Sequence, residues 1–465
     1  MLPLASILDR VPTVALAELS PLHAVAGLVV VATALRLLRF ATHKRLAHDA
    51  NVHEPPLPKS THWLVGNTRE LIKHNHRLYD WLTDLSLEFN GQPFRIEAYG
   101  LGYTVMLTSP RHRKTASHLF TMRALRDSMT SLVHKHLARL IETLDASAAN
   151  NTAFDMAASL HDFTLRAFTD MAFGVDLSAI HERDDPQWRA FPAAFNSAQR
   201  RLSFRLSVPR ALWKFQRYWN LAGEATRATP NLVSLFLDSF EHETTGAKFD
   251  PTYLRDFVVN IMVAGRDTTA QTLAWFFYCL AEHPHVLQKI RDEITRLTPE
   301  LLVTDNGFAS IEQVAKLVYL DATIKETLRL YPAVPLNIRA AVKDTVLDDG
   351  TLLKKGVRIG LPTYAMGRMP HVWGPNATAF EPDRWFDAKT GEPRVISAFQ
   401  FNSFHAGPRQ CIGQKLAMLE MKIVAVALLT RFELVVEPGQ TVTYGRSLTL
   451  TMKNPFMVHA ERRNV

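Results

Sequence analysis

Cys411 closes the segment Phe404-His405-Ala406-Gly407-Pro408-Arg409-Gln410-Cys411-Ile412-Gly413, a turn-rich loop leading into good helix formers over 413–431. A cysteine presented this way suits one task, supplying a thiolate to a single metal centre. The chain has only 2 cysteines, Cys279 and Cys411, so a disulfide framework and a multi-cysteine zinc site are excluded. Gly407 and Pro408 shape the bend, and Gly413 leaves room for a flat cofactor against the backbone. A helix starting at 413 places Cys411 at its N-terminus, where free N–H groups and the macrodipole favour a thiolate. Arg409 offers a cation to an acidic cofactor group. The competing reading is a buried structural cysteine.

A second set is Ala264-Gly265-Arg266-Asp267-Thr268-Thr269, set in a long apolar pattern. Asp250 and Pro251 start that helix and Glu282 ends it before Pro284. Glycine, threonines and a carboxylate are poor chemistry for a buried helix interior. They read either as a kink with Asp267 held by a neighbouring arginine, or as a small-residue gap beside a cofactor. In the second case a carboxylate and a hydroxyl would relay protons. A third set is Glu326 and Arg329, three apart on a predicted helix over 317–331, followed by Phe380-Glu381-Pro382-Asp383-Arg384-Trp385. Alone, the pair reads as a surface ion pair of well under about 1 kcal/mol.

Taken in order, F-x-x-G-x-R-x-C-x-G, the Asp267-Thr268 pair, E-x-x-R and P-x-R-W resemble the motifs of cytochrome P-450, the haem-thiolate monooxygenases. The resemblance covers about residue 55 to the C-terminus. It implies a mainly α fold with small β-sheets (α+β), a haem b held by the Cys411 thiolate, and haem-loop roles for Phe404, Gly407, Arg409 and Gly413. Thr268 is expected to support proton delivery to oxygen, Asp267 to feed protons from solvent, and Gly265 and Ala264 to leave space beside the haem. Glu326, Arg329 and Arg384 become a buried network for folding and haem retention. Arg339 falls where family members often contact a haem propionate, with an ordinary strand-flanking charge as the alternative. O2 and NADPH-derived electrons from a separate membrane reductase complete the expected chemistry, because no flavin or nicotinamide domain is fused here. Ala-Gly-Arg-Asp-Thr-Thr and the RKTASHLF segment resemble the branch that hydroxylates fatty acids and alkanes near the chain end. Val263, Ala264, Val334, Leu336 and Leu448 are candidate pocket residues for such an apolar small molecule. Covalent haem attachment is not expected, since Ala264 stands where some relatives have glutamate.

The elements that must position these residues begin with a hairpin, FRIEAY over 94–99 and YTVMLT over 103–108. After Ser109-Pro110 the chain enters RHRKTASHLFTMRALRDSM at once. Most family members carry several tens of residues between these elements, including a tryptophan that touches a haem propionate. Pro110 stands at its place, and Lys114 replaces the usual arginine. The expectation is an apparent internal deletion near 108–111, through a lost coding piece or a true short form. An oxygen-independent isomerase or peroxygenase, or an inactive truncated family member, remains as an alternative.

The uncharged run over 19–35 is followed by Arg36, Arg39, Lys44 and Arg45. That order predicts an uncleaved signal anchor within 1–45, an amphipathic surface helix being the alternative. A Pro-rich linker over 46–60 and a catalytic domain over 61–465 follow. This places the protein on the endoplasmic reticulum membrane, with membrane lipid as a partner and the catalytic domain in the cytosol. A net charge of +8 is scattered along the chain, so nucleic acid is not an expected partner. No H-E-x-x-H, G-x-S-x-G or P-loop pattern occurs, and none of the 19 histidines forms a readable ligand set.

Overall fold

The computed structural model describes residues 55–62, 65–98, 102–106, 126–173, 176, 262–302, 308–411, 413–445 and 447–463. The expected anchor, Lys114, the 108–111 junction and the start of the central helix lie outside them. No described helix is long and apolar enough to cross a membrane.

Helices α1 (Thr68–Lys73) and α2 (Leu78–Glu88) precede the hairpin β1 (Phe94–Ala98) and β2 (Gly102–Met106). Then come α3 (Arg126–Asn150), β3 (Phe154–Asp155) and α4 (Met156–Phe173). A π-helical segment, Val263–Asp267, runs into α5 (Thr268–Glu282), followed by α6 (Pro284–Leu297), α7 (Ile311–Lys316) and α8 (Val318–Leu330). Short strands β4 (Asn337–Ala340), β5 (Thr345–Val346), β6 (Leu352–Leu353) and β7 (Arg358–Leu361) lead to two single-turn helices, α9 (Thr363–Met366) and α10 (Pro370–Trp373). The chain closes with α11 (Gln414–Arg431), β8 (Phe432–Val436) and β9 (Met457–Arg462).

The sheets are small, as expected. β1, β2, β7 and β4 form one in that order, in which only the β2–β7 pair is parallel. β3, β9 and β8 form an antiparallel second. The predicted hairpin pairs Phe94 with Met106 and Ala98 with Gly102.

The main core joins α3, α4, α5, α6, α8, α11 and β8–β9. The middle of α11 is apolar almost all round, so Met421 and Ile423–Leu429 are buried as its sequence demands. A second core gathers α2 and the hairpin around Trp275, Tyr364, Tyr444 and Leu450. Where α8 begins, Leu317 offers no side-chain cap. The buried carboxylate of Glu293 on α6 replaces it, accepting the amides of Tyr319 at 2.7 Å and Leu320 at 3.0 Å. This fixes the start of the helix that carries Glu326 and Arg329.

Candidate active site

Cys411 is exposed, whereas Cys279 is buried inside α5. Its loop turns sharply at His405 (φ 60) and Gly407 (φ 69), the latter a conformation that glycine takes without steric cost. A short helical turn over Gly407–Arg409 follows. The Cys411 amide then closes the loop by donating to the Phe404 carbonyl at 2.7 Å. Phe404 anchors the loop against the main core and meets Phe401 edge-on at 6.3 Å. Helix α11 starts at Gln414, so Cys411 precedes the helix rather than opening it.

That offset bears on the expected thiolate. Although the residue is exposed, enough protein surrounds the sulfur for desolvation to raise its pKa, and the Gly413 amide only partly opposes this. The helix terminus does not favour the thiolate on its own; a bound cation has to do so. A side chain at Gly413 would meet only the Cys411 sulfur, at 3.9 Å. The glycine therefore keeps the face beside the sulfur open.

Arg409 and Arg339 are both exposed, Arg339 on β4. The Arg339 pKa is lowered, first by desolvation and then by the like charge of Arg409. Neither guanidinium has a carboxylate partner among the described residues, and that unneutralised pair suits an acidic group placed between them.

The second predicted set lies in the π-helical segment. Such a bulge widens one turn and frees its side chains from the regular register. Ala264 is exposed, while Val263 and Thr268 are half-buried. The Thr268 hydroxyl donates to the Ala264 carbonyl one turn back, at 2.7 Å. Asp267 faces the other way. It is 2% exposed, with Arg266 Nη1 at 3.3 Å and His161 Nδ1 of α4 at 3.7 Å. Burial, then the Arg266 charge, pushes the His161 pKa down to about 3, so the imidazole is neutral at physiological pH. Its Nε2 lies 3.2 Å from the Gln271 amide. Sequence reasoning allowed for a neighbouring arginine but had no signal for His161, far back in the chain.

A Cβ at Gly265 would lie 2.1 Å from the Phe168 ring, so the missing side chain also makes room for α4. Ala264 occupies the open face.

Glu326 and Arg329 are not a surface pair. Both side chains are fully buried. Glu326 Oε1 accepts from Arg329 Nη2, Arg384 Nε and the Glu381 amide, each at 2.8 Å. Its Oε2 accepts from Arg329 Nε at 2.8 Å and Trp385 Nε1 at 3.0 Å. The remaining Arg329 donors reach the Gly367, Ala377 and Ala379 carbonyls. A buried ion pair becomes tolerable when every donor and lone pair is used in this way. Trp385 was legible only as part of the P-x-R-W pattern; its hydrogen bond to Glu326 was not.

The pocket candidates occupy three segments. Val263 and Ala264 lie on the π segment, Val334 and Leu336 follow α8, and Leu448 sits between Tyr444 and Met452, which pair across a β-bridge. Leu336 packs against the second core, and Leu448 is half-buried.

Comparison with known proteins accords with this arrangement. A family model described as Cytochrome P450 matches residues 215–459. The chain belongs to the cytochrome P450 family. It is similar to cytochrome P450 86B1 of Arabidopsis thaliana, with 33% identity covering 77% of this chain and 70% of that protein. It is also similar to cytochrome P450 CYP94D108 of Paris polyphylla, with 30% identity covering 86% and 91%. Cytochrome P450 94A2 of Vicia sativa is 31% identical, covering 88% and 92%. That alignment runs over 484 positions, more than the 465 residues of this chain, so the relative carries residues without a counterpart here. As a P450, the protein is a haem monooxygenase whose iron is held by a cysteine thiolate and whose electrons come from a redox partner. The exposed Cys411, the open face beside Gly413 and the unneutralised Arg339–Arg409 pair fit such a group.

Proposed function

We propose that Cys411 is the axial ligand and that the protein hydroxylates an apolar chain, a fatty acid or alkane, at or near its end. The observation that carries the ligand assignment is the contrast between the two cysteines. Cys411 is exposed on a closed loop, whereas burial holds the Cys279 thiol far above the ordinary range. When bound, haem supplies the oxidation chemistry: with O2, two electrons and two protons it puts one oxygen atom into a C–H bond and releases the other as water. The chain holds and surrounds that group. Arg339 and Arg409 bind its acidic edge, Gly413 lets it approach the backbone, and Phe404 fixes the loop. Thr268 presents a hydroxyl on the open face. Asp267, poised between Arg266 and His161, holds a carboxylate one residue away that can exchange protons with the interior of α4. Glu326, Arg329 and Arg384 keep the loop's support rigid.

The substrate class rests on the resemblance of Ala264–Thr269 to the fatty-acid and alkane branch and on the apolar character of Val263, Ala264, Val334, Leu336 and Leu448. Residues 19–35 are proposed as the membrane anchor, bringing the domain to the lipid that holds such substrates and to an NADPH-dependent reductase. The test is the carbon monoxide difference spectrum of the reduced protein. The thiolate-haem band should be present in the unaltered chain and in Cys279→Ser, and absent in Cys411→Ser. Haem uptake and band retained in Cys411→Ser would sink the ligand assignment. Wild-type protein that forms the band but converts no fatty acid or alkane with reductase and NADPH would sink the substrate. The junction near 108–111, with the extra residues in the Vicia sativa relative, favours a second reading, a form that folds without taking up haem. Restoring a segment of the usual length at that junction would then restore the band.

A further inference from the structure

The three candidate pocket segments are tied to one point outside the pocket, the first turn of α2. Tyr79 and Asp80 lie there, and neither belongs to any motif described above. The Tyr79 hydroxyl donates to the Ser447 carbonyl at 3.0 Å, next to Leu448. The Asp80 carboxylate accepts from Tyr444 at 2.7 Å and from Tyr364 at 3.0 Å. The three tyrosine rings pack together, with Tyr79 5.1 Å from Tyr444 and Tyr364 5.7 Å from Tyr444. Arg368 stacks over Tyr364 at 3.5 Å.

Each tie leads to a pocket segment. Tyr444 begins the turn that carries Leu448, which is closed by hydrogen bonds from Gly445 to Thr451 at 2.7 Å and from Lys453 to Thr443 at 2.8 Å. The Tyr364 amide donates to the Pro335 carbonyl at 3.1 Å, between Val334 and Leu336. Leu450 donates to the Ala333 carbonyl at 3.0 Å and accepts from Trp275 of α5 at 2.7 Å. Trp275 in turn stacks on Tyr331 at 4.3 Å. The turn bearing Leu448, the segment bearing Val334 and Leu336, and the helix bearing Thr268 thus share one hydrogen-bonded frame.

We propose that Tyr79 and Asp80 are positioning residues that set the separation of the Leu448 and Val334–Leu336 walls, and so the length of apolar chain the pocket accepts. The proposal rests on the reading of those residues as pocket walls. A buried hydroxyl held to one carbonyl fixes a turn more tightly than apolar packing does, because sliding would leave both groups unpaired. Tyr79→Phe keeps the ring and removes that bond. Tyr444→Phe removes one of the two phenols from Asp80.

Two measurements test it. Hydrogen exchange needs no haem: in Tyr79→Phe the amides of Gly445–Leu450 should exchange about three- to tenfold faster, with the main core unchanged. The second is spectral titration of haem-loaded protein with a series of n-alkylimidazoles, whose imidazole binds the iron while the alkyl tail reads pocket length. The preferred tail length should shift in both variants, at wild-type haem content. Because these ligands are not substrates, a failure of fatty-acid turnover leaves this test intact. Unchanged exchange at 445–450 overturns the proposal, as does a tail-length preference identical to that of the unaltered protein.

Discussion

Two buried carboxylates in this protein are handled in opposite ways. Glu326 receives five donors at 2.8–3.0 Å from Arg329, Arg384, Trp385 and the Glu381 amide. Asp267 has its cationic neighbour at 3.3 Å and an imidazole at 3.7 Å, within a π-helical turn. The first carboxylate cannot move without breaking several charge-assisted bonds at once. The second meets its named cation and imidazole at longer range. The first arrangement is rigid, and the second holds the group proposed to carry protons beside Thr268.

Glu326→Ala should cause the largest loss. It leaves the buried Arg329 without its carboxylate and Arg384 with only Glu381 as a carboxylate, at a cost of about 3–5 kcal/mol. Denaturant unfolding and the yield of haem-loaded protein measure it, and a loss under about 1 kcal/mol would erase the contrast. Asp267→Asn should behave differently. Stability stays within about 1 kcal/mol, while turnover falls about a hundredfold with a larger solvent isotope effect. A collapse in stability like that of Glu326→Ala would make Asp267 a structural group instead.

A third buried carboxyl sharpens the comparison. Glu420 on α11 is 4% exposed, its Oε1 makes no hydrogen bond among the described residues, and burial pushes its pKa up to about 8. Between 4.5 and about 8 the folded carboxyl keeps its proton while the unfolded one has lost it. The unfolded state then binds fewer protons, so stability is full below that window and declines as pH rises through it. Glu420→Gln should flatten this decline, by about 1–3 kcal/mol across the window, as read by denaturant midpoints at several pH values. An unchanged slope would place the titrating group elsewhere. The smallest effect is expected for Gly265→Ala. Overpacking against Phe168 costs about 1–3 kcal/mol and is partly offset by up to about 1 kcal/mol of helix propensity. Phe168→Leu should relieve it; no relief would mean that the glycine answers to something other than α4.

Local signals were enough to place much of this fold. The FRIEAY and YTVMLT segments alternate and flank glycines, and they pair as predicted. The helices over 318–330 and 414–431 follow from periodicity and from Pro332 and Gly413 at their ends. Less legible was which way each polar side chain faces. Asp267 and Thr268 are neighbours in sequence, yet the bulge turns one into the protein and leaves the other half-exposed. Gly265 signalled that a side chain is excluded, but the contact with Phe168 was not legible, since that ring arrives from a distant helix.

By itself the sequence determined the cysteine that can bind a metal, the order of the motifs around it and therefore the family, because those rest on residue type and short spacing. Only the tertiary structure decided that Glu326 receives five donors, that Asp267 lies between Arg266 and His161, that Arg339 and Arg409 share a charge environment, and that Tyr79 and Asp80 bond to Ser447 and Tyr444 on either side of the turn at Leu448. Those are contacts between residues tens to hundreds of positions apart. Their strength depends on burial and on distances of a few tenths of an ångström, which no local pattern encodes.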